Sequence, residues 1–171
     1  MLKLFGSAFI IMGCSGVAYS EIRGCRTRIE LLTALERLLQ KGIYILLGQQ
    51  QNTIIFLKNV SCGNKGLEGE LFRMGEALEK HLYPNGDMAW RKGPADFLEK
   101  YGFRHEDLEI IKGCGAAFFE KSSDEIRAGL QNNLELMELI KEYELKQQRD
   151  IRKVWLPVSI MGGIACALVF A

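Results

Sequence analysis

SSDEIRAGLQNNLELMELIKEYELKQQRDIRKVWL, residues 122–156, is the stretch whose reading decides the fold class. Ser122-Ser123-Asp124-Glu125 fits a capping box, in which the Ser122 hydroxyl reaches the third helical amide and the Glu125 carboxylate reaches back to the serine amide. Ile126, Leu130, Leu134, Met137, Ile140 and Leu145 then recur close to helical spacing and form an apolar stripe. Neither glycine nor proline interrupts Leu130–Leu156, so one long helix is predicted to run straight into the apolar C-terminal segment.

That segment has a counterpart at the other end. No residue is charged from Leu4 to Ser20 or from Val154 to Ala171, and a bilayer-crossing helix needs about 20 mostly apolar residues. Gly6, Gly13, Gly16, Gly162 and Gly163 are costly in a soluble helix but tolerated in a membrane, where small residues let helices approach. Arg23, Arg26 and Arg28 follow the first segment, and Lys146, Arg149, Arg152 and Lys153 precede the second. The positive-inside rule therefore assigns residues 1–20 to an N-terminal anchor, 21–153 to a cytoplasmic helical domain and 154–171 to a transmembrane segment. Two rival readings concern the first segment. Lys3, Leu4–Met12 and Gly13-Cys14 resemble a lipoprotein signal, which would make the chain an extracytoplasmic binding module acylated at Cys14; Ala18-Tyr19-Ser20 resembles a signal-peptidase site. Either would place the basic flanks on the wrong side.

Between the two ends, Ile22, Ile29, Leu32, Leu35, Leu39, Ile43 and Leu46 mark a first amphipathic helix continuing out of the anchor. Gln49–Val60 fits a strand or a short buried helix, and a helix is expected because no partner strand is visible. Ser61–Gly66 is a turn cluster, and Leu67, Leu71, Met74, Leu78 and Leu82 mark the next helix, ending before Pro84-Asn85-Gly86. Asp87 is then expected to cap a short helix carrying Met88, Trp90, Phe97, Leu98 and Tyr101, split at Gly93-Pro94. His105–Phe119 continues with Leu108, Ile111, Cys114 and Phe118, and Gly113-Cys114-Gly115-Ala116-Ala117 offers a flat face for a neighbour. The sum is an all-α bundle of about six helices.

Composition narrows the function. Lys+Arg at 22 against Asp+Glu at 21 leaves a net charge of +1, with no basic excess for nucleic acid. Cysteines at 14, 25, 62, 114 and 166 are odd in number and contain no C-x-x-C pair, which describes scattered reduced thiols. His81 and His105 are the only imidazoles and lie on different elements, and Gly63-Asn64-Lys65-Gly66 lacks the phosphate-loop pattern. Glu106, Asp107 and Glu109 open a helix, where the dipole favours them. No catalytic residue, metal site, cofactor or small-molecule substrate is therefore expected. Candidate partner-contact or structural residues are Trp90, Gly113, Gly115, Ser122, Ser123, Asp124 and Glu125.

Several of these features together resemble stage III sporulation protein AB of endospore-forming Firmicutes. They are the opening Met1-Leu2-Lys3-Leu4-Phe5-Gly6, the run Arg28-x-x-x-Leu32-x-x-Ala34-Leu35-x-x-Leu38-Leu39, and the Ala89-Trp90 pair in mid-domain. Leu108–Gly115 followed by Ser122-Ser123-Asp124, and the long helix ending at Gly162-Gly163, complete the order. The resemblance implies a helical domain similar to type II secretion platform proteins, in the mother-cell membrane with its soluble part facing the cytoplasm. It also implies partnership with a secretion-type ATPase and channel subunits of the sporulation complex.

Overall fold

The computed structural model describes residues 2–49, 51–155, 157–158, 161–162 and 164, with side chains described at 16, 19–49, 51–154, 157–158, 161–162 and 164. The chain forms two compact units, one of Glu30–Lys141 and one of residues 1–29 with residues 142–171. Among the described residues, six helical stretches lie between residues 2 and 155, and no strand occurs. Helix α1 spans residues 2–48, α-helical over Leu2–Gly42 and closing in a wide π turn, Ile43–Gly48. Helices α2 (Thr53–Asn59) and α3 (Lys65–Glu79) follow, then α4 (residues 86–99), α5 (His105–Gly113) and α6 (residues 123–155), α5 being followed by a 3-10 turn at Ala116–Phe119.

Side-chain caps explain where the middle helices start. Asn52 accepts a hydrogen bond from the Ile54 amide at 2.8 Å, so Gln49–Val60 resolves to a short helix that buries Phe56 and Leu57. Asn64 accepts from the Leu67 amide at 3.0 Å, opening α3 inside the expected turn cluster. One turn into α3, Glu68 takes the amides of Cys62 and Gly63, each at 2.8 Å, and the Ser61 hydroxyl at 3.0 Å. The Gly63 bond, foremost among these interactions, holds the Glu68 carboxyl below the usual carboxylate range. Gly63 itself has φ +87°, where a side chain would also run into Arg37.

Three details differ from the sequence expectation. Helix α3 ends at Glu79, and Leu82, placed in its stripe above, lies beyond the helix at 67% exposure after His81 with φ 54°. Asn85 caps α4, accepting from the Met88 amide at 2.8 Å, while Asp87 is the second residue of the helix and pairs with Arg91 at 2.9 Å. Nor does Gly93-Pro94 split α4. A π turn at Arg91–Ala95 carries the chain past Pro94 and joins Gly86–Trp90 to Asp96–Glu99. The wider turn accommodates a ring that donates no amide hydrogen bond.

The Glu30–Lys141 unit holds the main core. Leu31, Leu32, Leu35, Leu38 and Leu39 of α1 pack in one cluster with Phe56, Leu57, Leu67, Leu71, Trp90, Leu98, Ile111, Phe118, Leu130 and Met137. Phe118 stands between Phe56 and Trp90, both ring centroids 6.1 Å away. The Thr53 hydroxyl donates to the Phe118 carbonyl at 3.2 Å, fastening α2 to the 3-10 turn, and Lys141 pairs with Glu36 at the edge of the unit.

In the other unit, Arg28 and Glu144 form a buried ion pair, 2.8 Å between Nε and Oε1. Glu144 therefore occupies the position that the apolar stripe assigned to Leu145, and Leu145 is 38% exposed. Among the described residues no helix is long and apolar enough to cross a membrane. The spanning segments expected at 1–20 and 154–171 thus find no support there. Both fall partly outside the described residues, as do the side chains of Cys14 and Cys166.

Candidate functional site

The residues singled out by sequence gather around the 3-10 turn and the start of α6, within the Glu30–Lys141 unit. Trp90 is fully buried, and its indole N–H donates to the Ile111 carbonyl at 2.9 Å. That bond satisfies the ring's one polar atom and ties α4 to α5. Gly115 lies against the same ring, where a Cβ would stand 2.2 Å from Trp90 Cγ, so only glycine fits. Gly113 is different. It is exposed, with nothing within 4 Å of an added Cβ.

At the cap, Glu125 Oε2 accepts from the Ser122 amide at 3.2 Å, the backward half of the expected box. The forward half is shifted by one residue, because the Ser122 hydroxyl oxygen accepts from Asp124, the second helical amide, at 3.3 Å. Ser122, Ser123, Asp124 and Glu125 are all exposed. Replacing both Ser122 and Glu125 by alanine is expected to cost about 0.5–2 kcal/mol, read as a shift of the denaturation midpoint. An unchanged midpoint would show that the cap does not set where α6 begins.

Beside the cap opens a cleft of about 490 Å3, lined by Gly113, Ala116, Ala117, Glu120, Glu125, Ala128, Gly129, Asn132 and Asn133. Of the sequence candidates, Gly113 and Glu125 line it, Trp90 and Gly115 pack against each other in the core, and Ser122, Ser123 and Asp124 stay at the cap. Glu120, Ala128, Gly129, Asn132 and Asn133 line it as well and lie outside the sequence candidates. A signal was present in Ala128-Gly129, a small pair one turn into α6 that answers the Gly113–Ala117 run. A Cβ on Gly129 would stand 2.9 Å from that of Ala117, so the glycine sets how closely α6 meets the 3-10 turn.

Reactive groups do not converge here. His81 and His105 are exposed, whereas Cys25, Cys62 and Cys114 are buried free thiols. Burial pushes the Cys114 thiol up to about 12, and burial likewise raises those of Cys62 and Cys25, which suppresses the nucleophilic thiolate. Among the described residues no group of His, Cys, Asp and Glu side chains is arranged to hold a metal ion.

A family model described as stage III sporulation protein AB matches residues 3–171, nearly the whole chain. The chain belongs to the stage III sporulation protein AB family. That membership is what the resemblance of the sequence implied. Comparisons with curated proteins and with solved structures gave no match.

Proposed function

We propose that this family member is a non-enzymatic structural component of a sporulation secretion channel, held at the mother-cell membrane with residues 21–153 in the cytoplasm. There it serves as a platform contacting a secretion-type ATPase and channel subunits. The observation that carries the membrane part is the C-terminal run of outward apolar side chains, with Val154 and Val158 each 56% exposed, Met161 70% and Ile164 47%. Exposed apolar runs of this kind mark contact with lipid or protein. The basic residues Lys146, Arg149, Arg152 and Lys153 immediately before it favour the cytoplasmic side for the adjoining domain. For the platform role, the support is what membership of the stage III sporulation protein AB family implies, together with an open cleft on the helical domain. Nothing among those residues favours the lipoprotein reading at Cys14.

Cys25, Cys62 and Cys114 cannot report topology, because they are buried on whichever side the domain lies. An exposed probe, Lys121→Cys, can. With the chain expressed in a bacterial membrane, an impermeant maleimide is expected to spare this cysteine in intact cells and to label it after permeabilisation. Labelling in intact cells would overturn the cytoplasmic placement. Copurification of a secretion-type ATPase with the full chain tests the platform role, and its failure in the assembled complex would overturn that role.

A further inference from the structure

The cleft beside the α6 cap is chemically lopsided. At about 490 Å3 it is the size of small-ligand pockets, roughly 300–1,000 Å3. Gly113, Ala116, Ala128 and Gly129 on its walls have no side chain beyond Cβ, so the chain does not fill this space itself. Glu120 and Glu125 also line it, and no lysine or arginine does. Glu120 and Glu125 take part in no ion pair among the described residues, and Glu125 receives the Ser122 amide. Asn132 and Asn133 complete the lining, Asn133 donating to the Cys114 carbonyl at 3.5 Å, so an occupant is selected on two counts: it must bring positive charge to the glutamates and a slender stem that fits between the alanine and glycine walls. A phosphate-bearing ligand is repelled by both carboxylates, and among the described residues no three His, Cys, Asp or Glu side chains are grouped to hold a metal ion. A long cationic side chain satisfies both demands, with its aliphatic stem on the alanines and its head at the glutamates. Arginine does so best, since its planar fork matches a carboxylate bidentately.

We infer that this cleft docks a helix of a protein partner that presents arginine or lysine, the cation seated between Glu120 and Glu125 and its stem along Ala116 and Ala128. The small residues let the incoming helix lie close, since interaxial distance is set by the side chains at the contact. This rests on the platform reading above and supplies the chemistry of its partner.

The test uses the full chain in detergent and a fluorescein-labelled, alanine-rich helical peptide with arginines at i and i+4. A matched peptide carrying glutamates instead is the control. By fluorescence anisotropy the arginine peptide is expected to bind at least about ten-fold more tightly than the glutamate peptide, and more weakly as salt rises. Ala128→Trp, which fills the cleft, and Glu120→Lys, which inverts its charge, are each expected to weaken binding about ten-fold or more. Both positions are exposed, so the thermal melt should not move, and Glu125 is left intact because it caps α6. Equal affinity for the two peptides, or unchanged binding to Ala128→Trp, overturns the proposal. Binding of spermidine that Ala128→Trp abolishes, without binding of the arginine peptide, overturns the helix as occupant. Because no ATPase is present, a failed titration condemns the cleft alone, whereas the platform reading fails by copurification.

Discussion

Trp90→Ala is expected to destabilise the folded chain by about 3–5 kcal/mol, a large share of the roughly 5–15 kcal/mol that holds a typical domain. The side chain is completely buried, and its loss leaves a cavity walled by Phe118, 6.1 Å away between ring centroids, and by the Gly115 backbone. The same change removes the 2.9 Å indole donor from the Ile111 carbonyl, which keeps the Cys114 amide at 3.2 Å, and the loss of that bond adds to the cost. Trp90→Phe separates the two contributions, because it keeps much of the ring while removing the N–H. Its loss should be clearly smaller than that of alanine. Gly115→Ala attacks the contact from the other side, since the new Cβ would sit 2.2 Å from Trp90 Cγ, and overpacking of this kind typically costs about 1–3 kcal/mol. Combined with Trp90→Ala it should cost much less, because the space has been vacated, so the two changes should be non-additive. Chemical denaturation of the four proteins checks this. A Trp90→Ala loss below about 1 kcal/mol, or strict additivity with Gly115→Ala, would show that this ring does not organise the α4–α5 contact.

The all-helical architecture was legible because its signals are local. The leucines at 32, 35 and 39 fall on one face whatever the partner, and the Ser122–Glu125 box is complete within four residues. What escaped the sequence depends on choices between near-equivalent neighbours. Asn85 and Asp87 are both good capping types, and the extended backbone at Asn85 decided for it. Pro94 ordinarily ends a helix, but Pro94 and Ala95 are buried here, and the π turn keeps them in the core. The cleft was half legible. The Gly113–Ala117 run announced close packing, yet Gly115 spends its freedom on Trp90 and Gly129 on Ala117, and only the tertiary arrangement shows Gly113 facing open space beside Glu120 and Glu125.

The ion pair of Arg28 with Glu144 was hidden for a related reason. Cys25, Arg28, Leu32, Leu35 and Leu39 are buried at alternating spacings of three and four along α1, and Met137, Ile140 and Glu144 follow the same spacing along α6, with the next buried residue, Ile151, two turns on. Each helix thus carries one charged residue on its buried seam. Within the unit formed by residues 1–29 and 142–171, the Arg28 guanidinium also donates to Cys25 Sγ at 3.3 Å, while Glu144 Oε2 is buried with no hydrogen-bond partner among the described residues. Removing one charge strands the other, and for buried pairs this typically costs about 3–5 kcal/mol. Glu144→Ala is therefore expected to loosen this unit strongly. Hydrogen exchange of the full chain in detergent should show faster exchange of the amides of residues 21–29 and 142–151, with those of the Glu30–Lys141 core little changed. Arg28→Met with Glu144→Leu should behave differently, because replacing both partners by apolar groups of similar size is often neutral or stabilising. If the double variant restores protection, the pair's role is to select one pairing of the two seams, since a lone charge on either seam is tolerated only opposite its counterpart. If Glu144→Ala leaves exchange in residues 142–151 unaltered, the pair contributes nothing to holding this unit together.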